Sequence, residues 1–206
     1  MSPLQGIRLL ALGLAVLAVQ ACAPFLLTPD QLAARAALDS RRTALEPLSE
    51  WQAVGRLSVQ SGEQAWHASL VWRQEGEDYR IRLLGPLGQG GVEIAGGPSE
   101  VTLRTGTGAS YSAVSPETLM QERLGWWVPV RGLRYWLLGL ADPGVGWARG
   151  LVDGEGRPAG LSQDGWDVRY LAWLPQQPVP LPARVEFERE DVRAKIVVNR
   201  WDLGSP

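Results

Sequence analysis

Trp66-His67-Ala68-Ser69-Leu70-Val71-Trp72-Arg73, followed after a short break by Tyr79-Arg80-Ile81-Arg82-Leu83, alternates its side chains with a period of two. Trp66, Ala68, Leu70 and Trp72 share one face, with His67, Ser69 and Arg73 on the other; Tyr79, Ile81 and Leu83 likewise oppose Arg80 and Arg82. Successive strand residues point to opposite sides, so the pattern predicts strands with one buried and one solvated face. Reading outward, the alternation continues through Val92 and Ile94, Val101 and Leu103, Trp166-Val168-Tyr170, Val185-Phe187 and Val192-Ala194-Ile196-Val198. Asp153-Gly154 and Asp164-Gly165 are hairpin signals, because both residue types tolerate the left-handed backbone of tight turns. Helix starts occur at three places. Thr28-Pro29-Asp30-Gln31 supplies an N-cap, a first-turn proline and a capping-box glutamine, opening a helix to about Leu45. Ser115-Pro116-Glu117 opens a second helix that stops at Gly125, and after Pro129 a third carries Leu133, Trp136, Leu137 and Leu140 as an apolar stripe. About ten short strands without βαβ spacing predict the α+β class: an antiparallel sheet curling toward a barrel, with a helical insertion at about 115–140 over one face or mouth. Trp51 and Trp201 are expected near the two ends of the sheet, packing it closed.

Composition narrows the function. The chain has 206 residues, 20 Lys+Arg against 22 Asp+Glu, and 45% hydrophobic residues, which describes a folded domain and gives one domain as the default. A net charge of −2 argues against nucleic-acid binding, which needs a clustered basic surface. One Cys and one His exclude zinc clusters, disulfide frameworks and most Cys/His catalysis. Trp is unusually frequent, at 10 against 2 Phe.

Residues 1–21 read as a lipoprotein signal peptide that precedes a single domain from 22 to 206. Arg8 is the positive n-region, and Leu9 to Val19 is an uncharged apolar run, short of the roughly 20 residues of a membrane-spanning helix. Val19-Gln20-Ala21-Cys22 then matches the bacterial lipobox, in which the cysteine receives a diacylglyceryl thioether and its freed amine is acylated. Cys22 is thus the expected lipid anchor; several acyl chains hold stably at about 0.8 kcal/mol per buried CH₂. Ala23, where inner-membrane lipoproteins often carry Asp, favours the outer membrane.

No catalytic constellation emerges, and the chain reads as a non-enzyme. There is no G-x-S-x-G elbow, and a Ser-His-Asp triad would have to use His67, on the solvated side of its strand. Gly88-Gln89-Gly90-Gly91 lacks the Lys-Ser/Thr ending of a phosphate loop, and Asp153-Gly154-Glu155-Gly156 lacks calcium-ligand spacing. No metal or cofactor is expected. The tryptophans remain. Trp66, Trp72, Trp126, Trp127 and Trp136 fall on one sheet face and on the helices expected to cover it. A half-barrel lined by large apolar side chains can hold a lipid. The candidate acyl-chain cavity is Trp66, Leu70, Trp72, Tyr79, Ile81, Leu83, Trp136 and Leu137; the alternative is that these side chains meet in a filled core.

Several strings carry a family resemblance. Gly55-Arg56-Leu57, Trp72-Arg73-Gln74, Tyr79 to Leu83 leading into Gly85-Pro86-Leu87-Gly88-Gln89, Ser115-Pro116-Glu117, Leu133 to Leu140, Gln163-Asp164-Gly165-Trp166 and Leu181-Pro182 together resemble the LolB family. The resemblance spans nearly all of the chain after Cys22. It implies a half-open antiparallel β-barrel of roughly 10–11 strands with helices over an apolar cavity. The implied function is to accept acylated lipoproteins from the periplasmic carrier LolA and insert them into the outer membrane of a Gram-negative bacterium. The implied partners are that carrier, acylated cargo and outer-membrane lipid, with the protein itself a monomer facing the periplasm. Strands ending near residue 84 and resuming near 90 would leave Pro86, Leu87 and Gly88 at a hairpin tip. The resemblance makes Leu87 its membrane-facing residue, where an unrelated sequence would fold such a leucine back onto the hairpin. Two other classes fit the residues: an envelope lipoprotein of similar shape that binds or senses another amphiphile, and a lipid-anchored structural interaction module.

Overall fold

The computed structural model describes residues 28–86 and 90–204. The expected leader, Cys22, Leu87 and Gly88 lie outside the described residues. Among the described residues, three helices and eleven strands follow in the order α1 (Pro29–Leu45), β1 (Glu50–Ser61), β2 (Gln64–Glu75), β3 (Asp78–Leu84), β4 (Val92–Gly96), β5 (Val101–Thr105), β6 (Ser110–Ala113), α2 (Pro116–Leu124), α3 (Val130–Trp136), β7 (Trp147–Val152), β8 (Pro158–Gln163), β9 (Trp166–Leu174), β10 (Leu181–Arg189) and β11 (Val192–Leu203). No helix among the described residues is long and apolar enough to cross a membrane.

All strands join one antiparallel sheet in the order β6-β5-β4-β3-β2-β1-β11-β10-β9-β8-β7. The alternating stretches behave as expected: Ala68, Leu70, Trp72, Ile81 and Leu83 are buried while His67, Ser69, Arg73, Arg80 and Arg82 are exposed. Asp164 and Gly165 both adopt positive φ, 52° and 74°, as a two-residue β8–β9 turn requires. The Asp153 turn is longer, closed by its Oδ1 accepting from the Glu155 and Arg157 amides, both at 2.9 Å.

The position expected for Trp51 and Trp201 is corrected. Their rings do meet, with centroids 5.5 Å apart, but β1 and β11 pair in the middle of the sheet rather than at its ends. Pairing the first strand with the last leaves β6 and β7 as the edges, so the two tryptophans join the halves of the sheet instead of closing it. That seam contains a bulge at Val54/Gly55. A Cβ on Gly55 would lie 2.0 Å from the Val197 carbonyl oxygen, so only glycine fits there.

Eleven strands spaced by about 4.8 Å would be roughly 48 Å across if flat, far too wide for three short helices to cover. Yet the strands share one continuous core with the helices on a single face. Trp126 touches Trp66 of β2 at 5.4 Å, while its neighbour Trp127 touches Trp166 of β9 at 5.8 Å. These strands are four places apart, roughly 19 Å in a flat sheet, so the sheet curls around the helices. Among the described residues the buried apolar core runs from Ala34 of α1 to Trp201 of β11.

The caps explain where the helices lie. Thr28 and Gln31 form the reciprocal capping box of α1, and the Ser115 hydroxyl accepts from the Thr118 amide at 3.2 Å to open α2. Gly125 ends α2 at φ 78°. The third helix is shorter than the apolar stripe suggests. The amides of Gly139 and Leu140 turn back to the carbonyls of Trp136 and Tyr135, with Gly139 at φ 73°, the pattern of a Schellman stop. Leu137 and Leu140 are buried as expected, but in this turn rather than on a helix.

Candidate functional site: the covered concave face

The strand turns define two ends of the curled sheet. The β1–β2, β3–β4, β5–β6, β8–β9 and β10–β11 connections lie at one end, here the mouth; the β2–β3, β4–β5, β7–β8 and β9–β10 connections lie at the other. The 33 residues from 114 to 146 leave β6 at the far end and enter β7 at the mouth, linking the two unpaired edges. α2 runs toward the mouth, Trp126 and Trp127 turn the corner there, and α3 runs back over the concave face.

All eight residues proposed from the sequence face this space. Leu70, Trp72, Ile81 and Leu83 are buried on β2 and β3, and Trp136 and Leu137 are buried beneath the helical connection. Trp66 and Tyr79 are half-buried, at opposite ends of the face. They do not form one continuous aromatic surface. Toward the far end, Trp72 lies 5.7 Å from Trp51 and 6.5 Å from Tyr79. Toward the mouth, Trp166 gathers Trp127, Trp136 and Phe187 at 5.8, 6.4 and 6.1 Å. These side chains are packed between sheet and helices in one core. Burial drives the Tyr79 phenol above its ordinary range, reinforced by the nearby Glu117 charge, and burial does the same to Tyr170.

The connection is fastened unevenly. At its later end, buried Gln163 of β8 makes four hydrogen bonds. Its Oε1 accepts from Trp136 Nε1 and the Asp142 amide, both at 2.9 Å, and its Nε2 donates to the carbonyls of Asp142 and Val145 at 2.9 and 2.7 Å. Arg41 of α1, 6% exposed, donates to the carbonyls of Leu138 and Pro180 at 2.6 and 2.7 Å and stacks 4.7 Å over Trp173. Burial lowers its pKa to about 10, which still leaves it charged at neutral pH. Arg42 donates to the Ala141 carbonyl at 2.8 Å, and buried Asp142 pairs with Arg131 at 3.2 Å. A Cβ on Gly139 would lie 2.6 Å from Arg41 Nε, so the Schellman glycine also makes room for this clasp.

The earlier end is held more lightly. Leu119 and Met120 pack inward, the Val130 amide donates to Glu117 Oε1 at 3.0 Å, and the Arg123 guanidinium covers the Tyr111 ring at 3.8 Å. Residues 138–145 therefore carry most of the polar fastening, while α2 and the Trp126-Trp127 corner are held mainly by apolar and aromatic packing. Sequence reading missed Gln163, Arg41 and Trp166 as site residues. Gln163 carried a signal, because it continues the inward parity of Ala159 and Leu161. Arg41 carried none, since it is one of three arginines, with Arg35 and Arg42, on an alanine-rich helix and reads as solvated surface.

The outward face is polar. Lys195, Arg169 and Arg193 pair with Glu186 and Glu188 across β9, β10 and β11, and His67 is exposed beside them. Leu84, the last residue of β3, and Leu171 of β9 are exceptions at 48% and 51% exposed.

Residues 49–201 match the family described as "Outer membrane lipoprotein LolB". The chain is 42% identical over 164 residues to Outer-membrane lipoprotein LolB of Nitrosococcus oceani, covering 80% of this chain and 82% of that one. It is 40% identical over 197 residues to the protein of that name from Alkalilimnicola ehrlichii, covering 96% and 98%. Among solved structures, a LolA superfamily protein from Nitrosomonas europaea shares the fold with a TM-score of 0.53 at 9% identity, over 84% of this chain and 94% of that one. With its own matched region spanning most of the curled sheet, the chain belongs to the LolB family of outer-membrane lipoproteins.

Proposed function

We propose that this protein accepts acylated lipoproteins from a LolA-type periplasmic carrier, shelters their acyl chains between the concave sheet face and α2–α3, and passes them into the outer membrane. The observation that carries the proposal is an apolar, tryptophan-rich face, left open between edges β6 and β7 and covered by a connection whose polar fastening is concentrated at its later end. In this reading the fold works as a half-open barrel. Swinging α2 and the Trp126-Trp127 corner away from Trp66 and Trp166 converts packed core into an acyl-chain cavity lined by Trp66, Leu70, Trp72, Tyr79, Ile81, Leu83, Trp136 and Leu137. Acyl chains of the cargo take the place of the apolar packing that opening removes, so occupancy itself offsets the opening. Cargo passes by direct contact with the carrier, because several acyl chains in water would cost on the order of tens of kcal/mol at about 0.8 kcal/mol per CH₂.

Residues 1–21 serve as the leader and Cys22 as the lipid anchor of a single domain. Leu87, flanked in sequence by Pro86 and Gly88 and three residues after exposed Leu84, meets the bilayer during delivery. One inserted leucine gains only about 1.5–3 kcal/mol, so its part is to open a local path and not to anchor. The decisive experiment loads a LolA-type carrier with a triacylated lipoprotein and adds the chain from Ala23 onward. Cargo should move to the chain and displace a fluorescent fatty-acid probe. Cargo that stays on the carrier, with no probe binding at all, would refute the proposal in favour of a filled, purely structural core.

A further inference from the structure

Three of the buried tryptophans give their indole N–H to an oxygen: Trp72 to Gln74 Oε1 at 3.1 Å, Trp136 to Gln163 Oε1 at 2.9 Å, and Trp201 to the Pro182 carbonyl at 3.0 Å. Trp166 differs from these three. It is 1% exposed, and its Nε1–H is fully buried without an acceptor among the described residues. An unpaired buried donor destabilises a fold, so its persistence calls for a use.

Its position suggests one. Trp166 is the first residue of β9, directly after the β8–β9 turn at the mouth, and it lies beneath Trp127 of the helical connection. It also lines a groove of about 290 Å³ at the mouth, together with Ser61, Gln121, Trp127, Arg189 and Asp191. The groove is largely polar, unlike the aromatic interior behind it, and the Arg189 guanidinium sits 5.5 Å over the Trp127 ring.

An acylated cysteine has a matching division. Its tails are apolar, while the ester carbonyls that attach two of them to glycerol accept hydrogen bonds and donate none. Tails lying in the interior bring these carbonyls to the mouth, where they leave water with one unmet need and meet a donor with the complementary one. We infer that the mouth groove is the subsite for the glycerol ester linkages of the cargo: when the proposed opening lifts Trp127 from Trp166, the uncovered Nε1–H donates to an ester carbonyl. This inference rests on the acyl-binding reading above. Pairing two groups that are each unsatisfied alone makes the contact selective: a ligand of equal chain length without the carbonyl leaves the indole unpaired.

The test measures binding of two N-acetylated S-glyceryl-cysteine peptides with equal tails, one ester-linked and one ether-linked, to the chain from Ala23 onward. Wild type should favour the ester ligand about three- to tenfold, the range of one hydrogen bond. Trp166→Phe should bind both at the wild-type ether affinity. Tyr170→Phe is the control: its hydroxyl is also buried and unpaired, but it lies four residues further along β9, roughly 13 Å from Trp166 and outside the groove. This variant should keep the full preference. A wild type without preference, or a Trp166→Phe protein that retains it, overturns the inference. Wild type that binds neither ligand overturns the parent reading instead. If Trp166→Phe does not fold, indole N–H resonances of ¹⁵N-labelled wild type decide the matter. The ester ligand should move one resonance downfield that the ether ligand leaves in place, and identical spectra with both ligands refute the assignment.

Discussion

Replacing Gln163 with alanine probes the polar fastening of the helical connection most directly. The substitution deletes four hydrogen bonds of 2.7–2.9 Å and strands the Trp136 indole N–H and the Asp142 amide and carbonyl in a buried site. Each bond contributes about 1 kcal/mol net, and stranded partners add further cost, partly offset by water entering the vacated space. A loss of about 3–5 kcal/mol is expected, which for a chain of this size lowers Tm by roughly 6–20 °C. Thermal and urea unfolding of Gln163→Ala beside wild type measure it. Gln163→Glu supplies an independent sign. Ionised, its side chain cannot donate to the Asp142 and Val145 carbonyls; protonated, it can donate to one. Its folded-state pKa should therefore stand above the unfolded value of about 4.3, so stability is fully present below that pH and is lost as pH rises. The gap between Gln163→Glu and wild type should widen from pH 4 to pH 7. A Gln163→Ala protein melting within about 2 °C of wild type, or a Glu variant whose gap is flat with pH, would show that this residue does not fasten the connection.

Cys22→Ala should leave an uncleaved precursor that takes up no radiolabelled palmitate, and persistent labelling would remove Cys22 as the anchor. Leu87→Glu should fold and accept cargo normally while delivering it to liposomes far more slowly; delivery at the normal rate would end the membrane-loop reading. Leu70→Ala on the concave face should lose about 2–5 kcal/mol of stability and, in addition, change fatty-acid-probe affinity beyond what its unfolded fraction explains. An affinity change that merely tracks unfolding would mark the face as core. Burial holds the Tyr170 phenol protonated in the fold, so its contribution is complete below pH 10 and declines as pH rises above the unfolded value, by up to about 1.4 kcal/mol per pH unit. Tyr170→Phe should flatten this alkaline decline in urea titrations.

The features legible in the residues alone are those that depend on near neighbours. Alternation from Trp66 to Trp72 and from Tyr79 to Leu83 assigns each side chain to a face, because strand geometry is set residue by residue. The Thr28–Gln31 box, Ser115 and Gly125 place helix ends, because caps form within one turn of chain. Resemblance across many short strings is enough to identify the family. Pairing and clasping arise only once the chain has folded. No local pattern announces that β1 seeks β11, so Trp51 and Trp201 belong to a central seam that Gly55 makes possible. Nor does the stripe through Leu140 reveal that α3 stops at Trp136, since the Schellman turn at Gly139 buries Leu137 and Leu140 as well as a helix would. The fastening at Gln163 and Arg41 joins groups 18 to 139 residues apart, and the unpaired donor of Trp166 is visible only once every possible acceptor has been placed. A hydrogen bond, or the want of one, depends on a distance, and only the folded chain has those distances.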